Sequence, residues 1–110
     1  MTVEVNDVHG THVIALTGEI DLQTSPQVRT AILESLGKGA PVVVDLSDTA
    51  YIDSSGVASL VEGYQMAREK KLTFALAAVS EAPMRVLKLA RLDKIFVIHP
   101  DVEAALRAGV

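Results

Sequence analysis

Asp53-Ser54-Ser55-Gly56 stands where an apolar segment gives way to an amphipathic helical pattern, and it offers two hydroxyls and a carboxylate in a row. Two chemistries suit such a run. A Ser or Asp ahead of a helix caps it, its side-chain oxygen accepting a free amide of the first turn. A serine hydroxyl at the same place can also accept a phosphoryl group, whose charge of about −2 meets the free amides and the positive end of the helix dipole. The two roles are compatible, because a capping serine is well placed to be modified. Other chemistry-bearing residues are sparse. His9 and His12 lie three apart on a turn entering a strand, where that spacing does not put both on one face, and no third ligand accompanies them. No metal site is expected. Ser54 lacks a Gly-x-Ser-x-Gly elbow, so a triad built on it is not expected either. No Gly-rich phosphate loop signals a nucleotide, and a chain of 110 residues leaves little wall for a substrate pocket. With no catalytic residue and no cofactor expected, the chain reads as a substrate of catalysis rather than a catalyst.

The elements that must hold Ser54 follow from periodicity. Thr2–Asn6 alternates apolar and polar residues, Asp7–Gly10 supplies turn residues, and Thr11–Thr17 is more apolar, which together predict an antiparallel hairpin. Gly18 ends the second strand. Ser25-Pro26 predicts a helix start, with Ser25 as N-cap, and Val28, Ala31, Ile32 and Leu36 form one face before Gly37 and Gly39. Val42–Leu46 reads as a central strand covered on both faces. The chain then turns between Ser47 and Ile52. Val57, Leu60, Val61, Tyr64 and Ala67 mark the clearest helix, ended by Lys70 and Lys71 where the dipole favours cations. Leu72–Val79 is a buried strand, Ser80 caps a helix through Ala90 with Pro83 in its first turn, Ile95–Ile98 is a short strand, and His99-Pro100-Asp101 starts a last helix. The order ββαβαβαβα predicts a single α/β domain over residues 1–110, a mixed β-sheet with four helices over at least one face.

Composition narrows the function. With 14 acidic and 10 basic side chains the net charge is −4, the wrong sign for the basic stripe of a nucleic-acid binder, and four aromatics leave little to stack on bases. No nucleic-acid partner is expected. Cysteine is absent, which excludes thiol catalysis, disulfides and cysteine-ligated zinc. The longest apolar run, Phe74–Val79, falls far short of the ~20 residues of a membrane helix, so no direct membrane insertion is expected. The first residues carry no basic-then-apolar leader, which predicts a cytoplasmic location.

Two segments together carry a family likeness. Leu16-Thr17-Gly18-Glu19-Ile20-Asp21 resembles the Gly-Glu-Leu-Asp element of STAS domains of the anti-sigma-factor antagonist type. Val43-Val44-Asp45-Leu46, the aromatic Tyr51 and Asp53-Ser54-Ser55-Gly56 resemble that family's phosphorylation motif, and the element order matches nearly end to end. The resemblance implies a bacterial partner switch in signal transduction that regulates transcription. Its phosphoacceptor would be Ser54, with Ser55 the less favoured neighbour. The unphosphorylated chain would bind an anti-sigma factor serine kinase, phosphorylation would release it, and a metal-dependent serine phosphatase would restore it. Glu19, Asp21, Asp53, Ser55 and Gly56 would form the partner-binding face. A phosphate beside Asp21, Asp48 and Asp53 would repel an acidic or apolar partner surface. The alternative is a constitutive STAS interaction module of a lipid-transport or stress-signalling complex, never phosphorylated. A response-regulator receiver fits less well: its first strand is buried and followed by an acidic pair, whereas here the first strand is half polar. One departure from many relatives is that Leu89-Ala90-Arg91-Leu92 has no Gly after the third helix, so that helix is expected to end without a left-handed glycine cap.

Overall fold

His9 and Gly10 both take left-handed backbone angles, φ 52° and 91°, and close a two-residue turn between β1 (Thr2–Val8) and β2 (Thr11–Ile20). Paired positive φ values are the mark of the hairpin turn whose twist matches the strands it joins. The strands pair antiparallel from Thr2↔Thr17 to Val8↔Thr11. The structure, a computed structural model, describes residues 1–109. Beyond the hairpin the chain runs α1 (Ser25–Gly37), β3 (Val42–Asp45), β4 (Thr49–Ile52), α2 (Ser54–Lys70), β5 (Phe74–Ala77), α3 (Glu81–Leu89), a 3-10 turn at Leu92–Lys94, β6 (Val97–His99) and α4 (Val102–Arg107). Among the described residues the sheet is mixed, ordered β1-β2-β3-β5-β6, with all pairs after the hairpin parallel.

Val42, Val43 and Val44 are fully buried because β3 lies mid-sheet with side chains alternating into two cores. Val42 and Val44 join Ile14, Leu16, Ile32, Leu60 and Leu76 in the larger core under α1 and α2. Val43 joins Val13, Ala77 and Ala105 in a smaller one covered by α4. The expected α/β domain with a mixed sheet and four helices is therefore present, with both faces covered.

The main difference is β4. The segment Ser47–Ile52, expected as a turn, turns only at Ser47 and Asp48 and then pairs with the far end of β2. Ala15 lies opposite Asp45, Gly18 opposite Thr49 and Ile20 opposite Ile52, so the offset along β2 grows from 30 to 31 to 32. β3 and β4 are one interrupted line along the same edge of β2, eased by an irregularity between Gly18 and Glu19. The buried Thr49 hydroxyl secures the break by donating to the Leu16 carbonyl at 2.8 Å.

Smaller shifts have local causes. Ser25, expected as N-cap, is buried inside α1, and Thr24 holds the cap position while its hydroxyl donates to the Glu19 carbonyl. Ser80 does precede α3, yet its hydroxyl donates to the Thr49 carbonyl rather than capping. The last strand starts at Val97, not Ile95, because the amides of Ile95 and Phe96 are taken by the Leu92 carbonyl. The third helix does end in a left-handed residue, and Arg91 occupies it at φ 61°.

Candidate functional site

Asp53 is the N-cap of α2, its backbone extended while its carboxylate accepts the Ser55 amide at 2.9 Å and the Gly56 amide at 3.2 Å. The Ser55 hydroxyl donates to the same oxygen, Oδ1, at 2.5 Å. That hydroxyl is the largest cause of a carboxyl pKa below the ordinary Asp value; desolvation opposes it, and the amides of Gly56, Ser55 and Leu22 add to the lowering. Asp53 is therefore ionised throughout the neutral range, and its carboxylate already holds the Ser55 and Gly56 amides of the first turn. Ser54 is different. It is exposed at the first position of α2, and among the described residues its hydroxyl has no hydrogen-bond partner.

Two segments distant in sequence meet here. The Asp53 amide donates to the Ile20 carbonyl at 3.1 Å, and Glu19 lies opposite Tyr51 across the β2–β4 pair. Gly56 makes the approach possible: a Cβ there would lie 2.6 Å from Ile52 Cγ1 and 2.7 Å from Ile20 Cγ2. Behind the turn, the buried Ser59 hydroxyl reaches the Ser55 carbonyl at 3.2 Å and the Ser25 carbonyl at 3.3 Å, tying the starts of α2 and α1 together.

The residues expected on a docking face separate into three kinds. Glu19 and Ser54 are exposed and free to meet a partner. Asp21, Asp53 and Ser55 are half-buried, and their polar groups are committed to the turns they stabilise. The Asp21 carboxylate accepts from the amides of Gln23 and Thr24, each at 3.0 Å, while the single proton of the Thr24 hydroxyl is shared between it, at 3.1 Å, and the Glu19 carbonyl, at 2.9 Å. Gly56, expected on the docking face, is instead buried against Ile20 and Ile52, so its place is explained by packing. The sequence reading missed Leu22, 77% exposed beside the Asp53 carboxylate, and it noted Tyr51, 47% exposed, only as an aromatic in the motif. Large apolar side chains this exposed are unusual on a protein surface. The signal for Leu22 was available, since a lone Leu in a polar turn has no core to enter.

Ser54 thus offers an accessible hydroxyl on a self-capped helix start, at the turn where the Glu19–Ile20 and Tyr51–Asp53 stretches meet. A group transferred to its oxygen would change the surface charge without displacing a bond of the fold.

Residues 2–105 match the STAS domain family. The anti-sigma-F factor antagonist RsfB of Mycobacterium tuberculosis is 30% identical over 107 residues, 96% of this chain and 87% of that protein. The anti-sigma-B factor antagonist of Listeria monocytogenes is 26% identical over 111 residues, 99% of this chain and 96% of that protein. Among solved structures, an anti-sigma factor antagonist from Mycobacterium paratuberculosis superposes with a TM-score of 0.86 at 33% identity, covering 97% of this chain and 92% of that one.

Proposed function

The chain belongs to the STAS domain family, and from that footing we propose that it is an anti-sigma factor antagonist whose binding is switched at Ser54. In its unmodified form it binds an anti-sigma factor that is a serine kinase, in the cytoplasm. Transfer of a phosphoryl group to Ser54 ends the complex, and a metal-dependent serine phosphatase regenerates the binding form. The chain acts as substrate and ligand, and its own residues supply no catalysis.

The observation that carries this reading is the division of roles in Asp53-Ser54-Ser55. Asp53 and Ser55 satisfy each other and the helix amides, whereas the Ser54 hydroxyl is exposed and unengaged. A kinase can reach it without unfolding the turn. A phosphate there cannot settle on the Ser55 and Gly56 amides, because the ionised Asp53 carboxylate already holds them. It adds about −2 charge to a face that presents Asp53, Asp21 and Glu19, taking the chain from −4 to about −6. Like-charge repulsion across a docking surface costs several kcal/mol, enough to dissociate a typical complex. The names of the relatives support antagonism of an anti-sigma factor as the output.

The test is incubation with the cognate kinase and Mg-ATP, followed by intact-mass measurement. A gain of about 80 Da, one phosphoryl group, is expected for the wild type and for Ser55→Ala, and none for Ser54→Ala. A gain that survives Ser54→Ala overturns the site. No gain in the wild type, with binding intact, overturns the switch and favours a constitutive STAS interaction module.

A further inference from the structure

β1 is a bare edge. It pairs with β2 over all seven residues from Thr2 to Val8 without a bulge, and its other side has no neighbour among the described strands. The tight turn at His9-Gly10 makes Val8↔Thr11 a hydrogen-bonded pair, so Asn6, Glu4 and Thr2 also bond inward. The His12 amide, which donates to the Pro41 carbonyl on the β3 side, fixes the same phase. Val3, Val5 and Asp7 are left with their N–H and C=O groups directed away from the sheet. Val5 lies opposite Ile14 and shares its face, yet Ile14 is fully buried while Val5 is 46% exposed. Above it, α1 packs on α2 by one flank, where the Arg29 guanidinium holds Glu62 at 2.7 Å. Its opposite flank overhangs the β1 side and carries an open groove of about 400 Å³ lined by Pro26, Gln27, Thr30, Ala31 and Glu34.

We propose that this edge is a dimer interface, occupied by a second copy of this chain paired antiparallel through β1 about a two-fold at Val5. The pattern is self-complementary. About that axis Val5 meets Val5 of the second copy, and Val3 meets Asp7, so each outward residue exchanges two backbone bonds with another outward residue. Glu4 falls opposite Asn6 and Thr2 opposite Val8, so no like charges face each other directly. The two exposed Val5 side chains cover one another, and the free flank of each α1 faces that of its mate over the joined sheet. The other end of the sheet is built differently. β6 has only three residues and is stopped by Pro100, the short, proline-ended form that discourages edge pairing. β1 has no proline, lysine or bulge.

This surface is separate from Ser54, which follows β4 at the opposite end of β2 from the hairpin turn. Sedimentation equilibrium tests the proposal first. The wild type and Ser54→Ala are expected to rise from 11.7 kDa toward twice that mass as concentration increases, while Val5→Glu stays at the monomer mass with an unchanged circular dichroism spectrum. A wild type that remains monomeric to about 1 mM, a concentration at which even weak specific pairing shows, overturns the proposal. So does a Val5→Glu chain that dimerises as the wild type does. The absence of native cysteine gives a second readout. Residues facing one another in an antiparallel hydrogen-bonded pair have Cα atoms about 5.5 Å apart, within disulfide range. Val5→Cys is therefore expected to cross-link under mild oxidation at least roughly tenfold faster than Val97→Cys on β6, through the high effective concentration of a preformed pair. Equal rates for the two variants overturn the assignment to β1.

Discussion

The Ser55 hydroxyl lies 2.5 Å from Oδ1 of Asp53, and that one bond assigns different work to two neighbouring serines. Ser55 belongs to the cap and Ser54 to the surface. Ser54→Ala is expected to leave stability within about 0.5 kcal/mol of wild type, as for surface positions without partners. Ser55→Ala removes a hydrogen bond to an ionised acceptor and is expected to lower the melting temperature by roughly 4 °C. Thermal unfolding followed by circular dichroism measures both. Equal losses at the two positions would contradict the separation.

Asp53 also makes stability depend on pH. Its folded pKa is depressed, chiefly by the Ser55 hydroxyl, so its contribution is complete above the unfolded carboxyl value of about 3.9. It is lost as the pH falls through the lower folded value. The wild type is therefore expected to melt above Asp53→Ala at pH 7, with the gap narrowing once the pH drops below about 4. A gap that stays constant to pH 2 would mean that the cap acts through shape rather than charge.

Gly56→Ala is expected to cost about 1–3 kcal/mol, because the new methyl overlaps Ile52 and Ile20 in a filled core. Chemical denaturation gives the value. The paired change with Ile52→Ala should show partial recovery: Gly56→Ala is expected to cost less in the Ile52→Ala background, which lacks the Cγ1 lying 2.6 Å from the new methyl. No recovery would point to the backbone rather than to packing as the cause.

Arg91→Gly is expected to stabilise the chain. A left-handed residue with a Cβ costs roughly 1–2 kcal/mol, and glycine's larger unfolded-state entropy offsets about half of that. The net gain of about 0.5–1 kcal/mol should appear as a higher denaturation midpoint with unchanged slope. Arg91→Ala serves as control and should show little gain, because it keeps the Cβ.

The sequence reveals what repeats locally and hides what depends on pairing. α2 was legible because Val57, Leu60, Val61, Tyr64 and Ala67 hold a helical stripe over the whole element. The hairpin was legible because the turn residues Asp7–Gly10 separate an alternating run from a more apolar one. β4 was not. Its burial runs in, out, out, in from Thr49 to Ile52, which shows no two-residue alternation, and it is a strand because β2 offers an open edge far back in the chain. The site divides in the same way. Ser54 and its capping Asp53 follow from residue types ahead of a helix. The buried position of Gly56 could not, since it arises from Ile20 and Ile52 closing on one another. Nor could Asp21 be distinguished as a loop staple rather than a free carboxylate until its bonds to Gln23 and Thr24 were located.

The interrupted line of β3 and β4 works as a ruler. Between Asp45, the last residue paired in register with β2, and Ile52, which plugs the core beneath Asp53, the chain accumulates two residues of slack. Adding or deleting one residue there would exchange the inward Ile52 with the outward Tyr51, because neighbouring strand positions point to opposite faces. The distance in sequence from the sheet to Ser54 is thus a counted length, more constrained than the identities of Ser47 and Asp48 that span it. An insertion scan through this interval should find the chain more tolerant of what is written there than of how many letters are used.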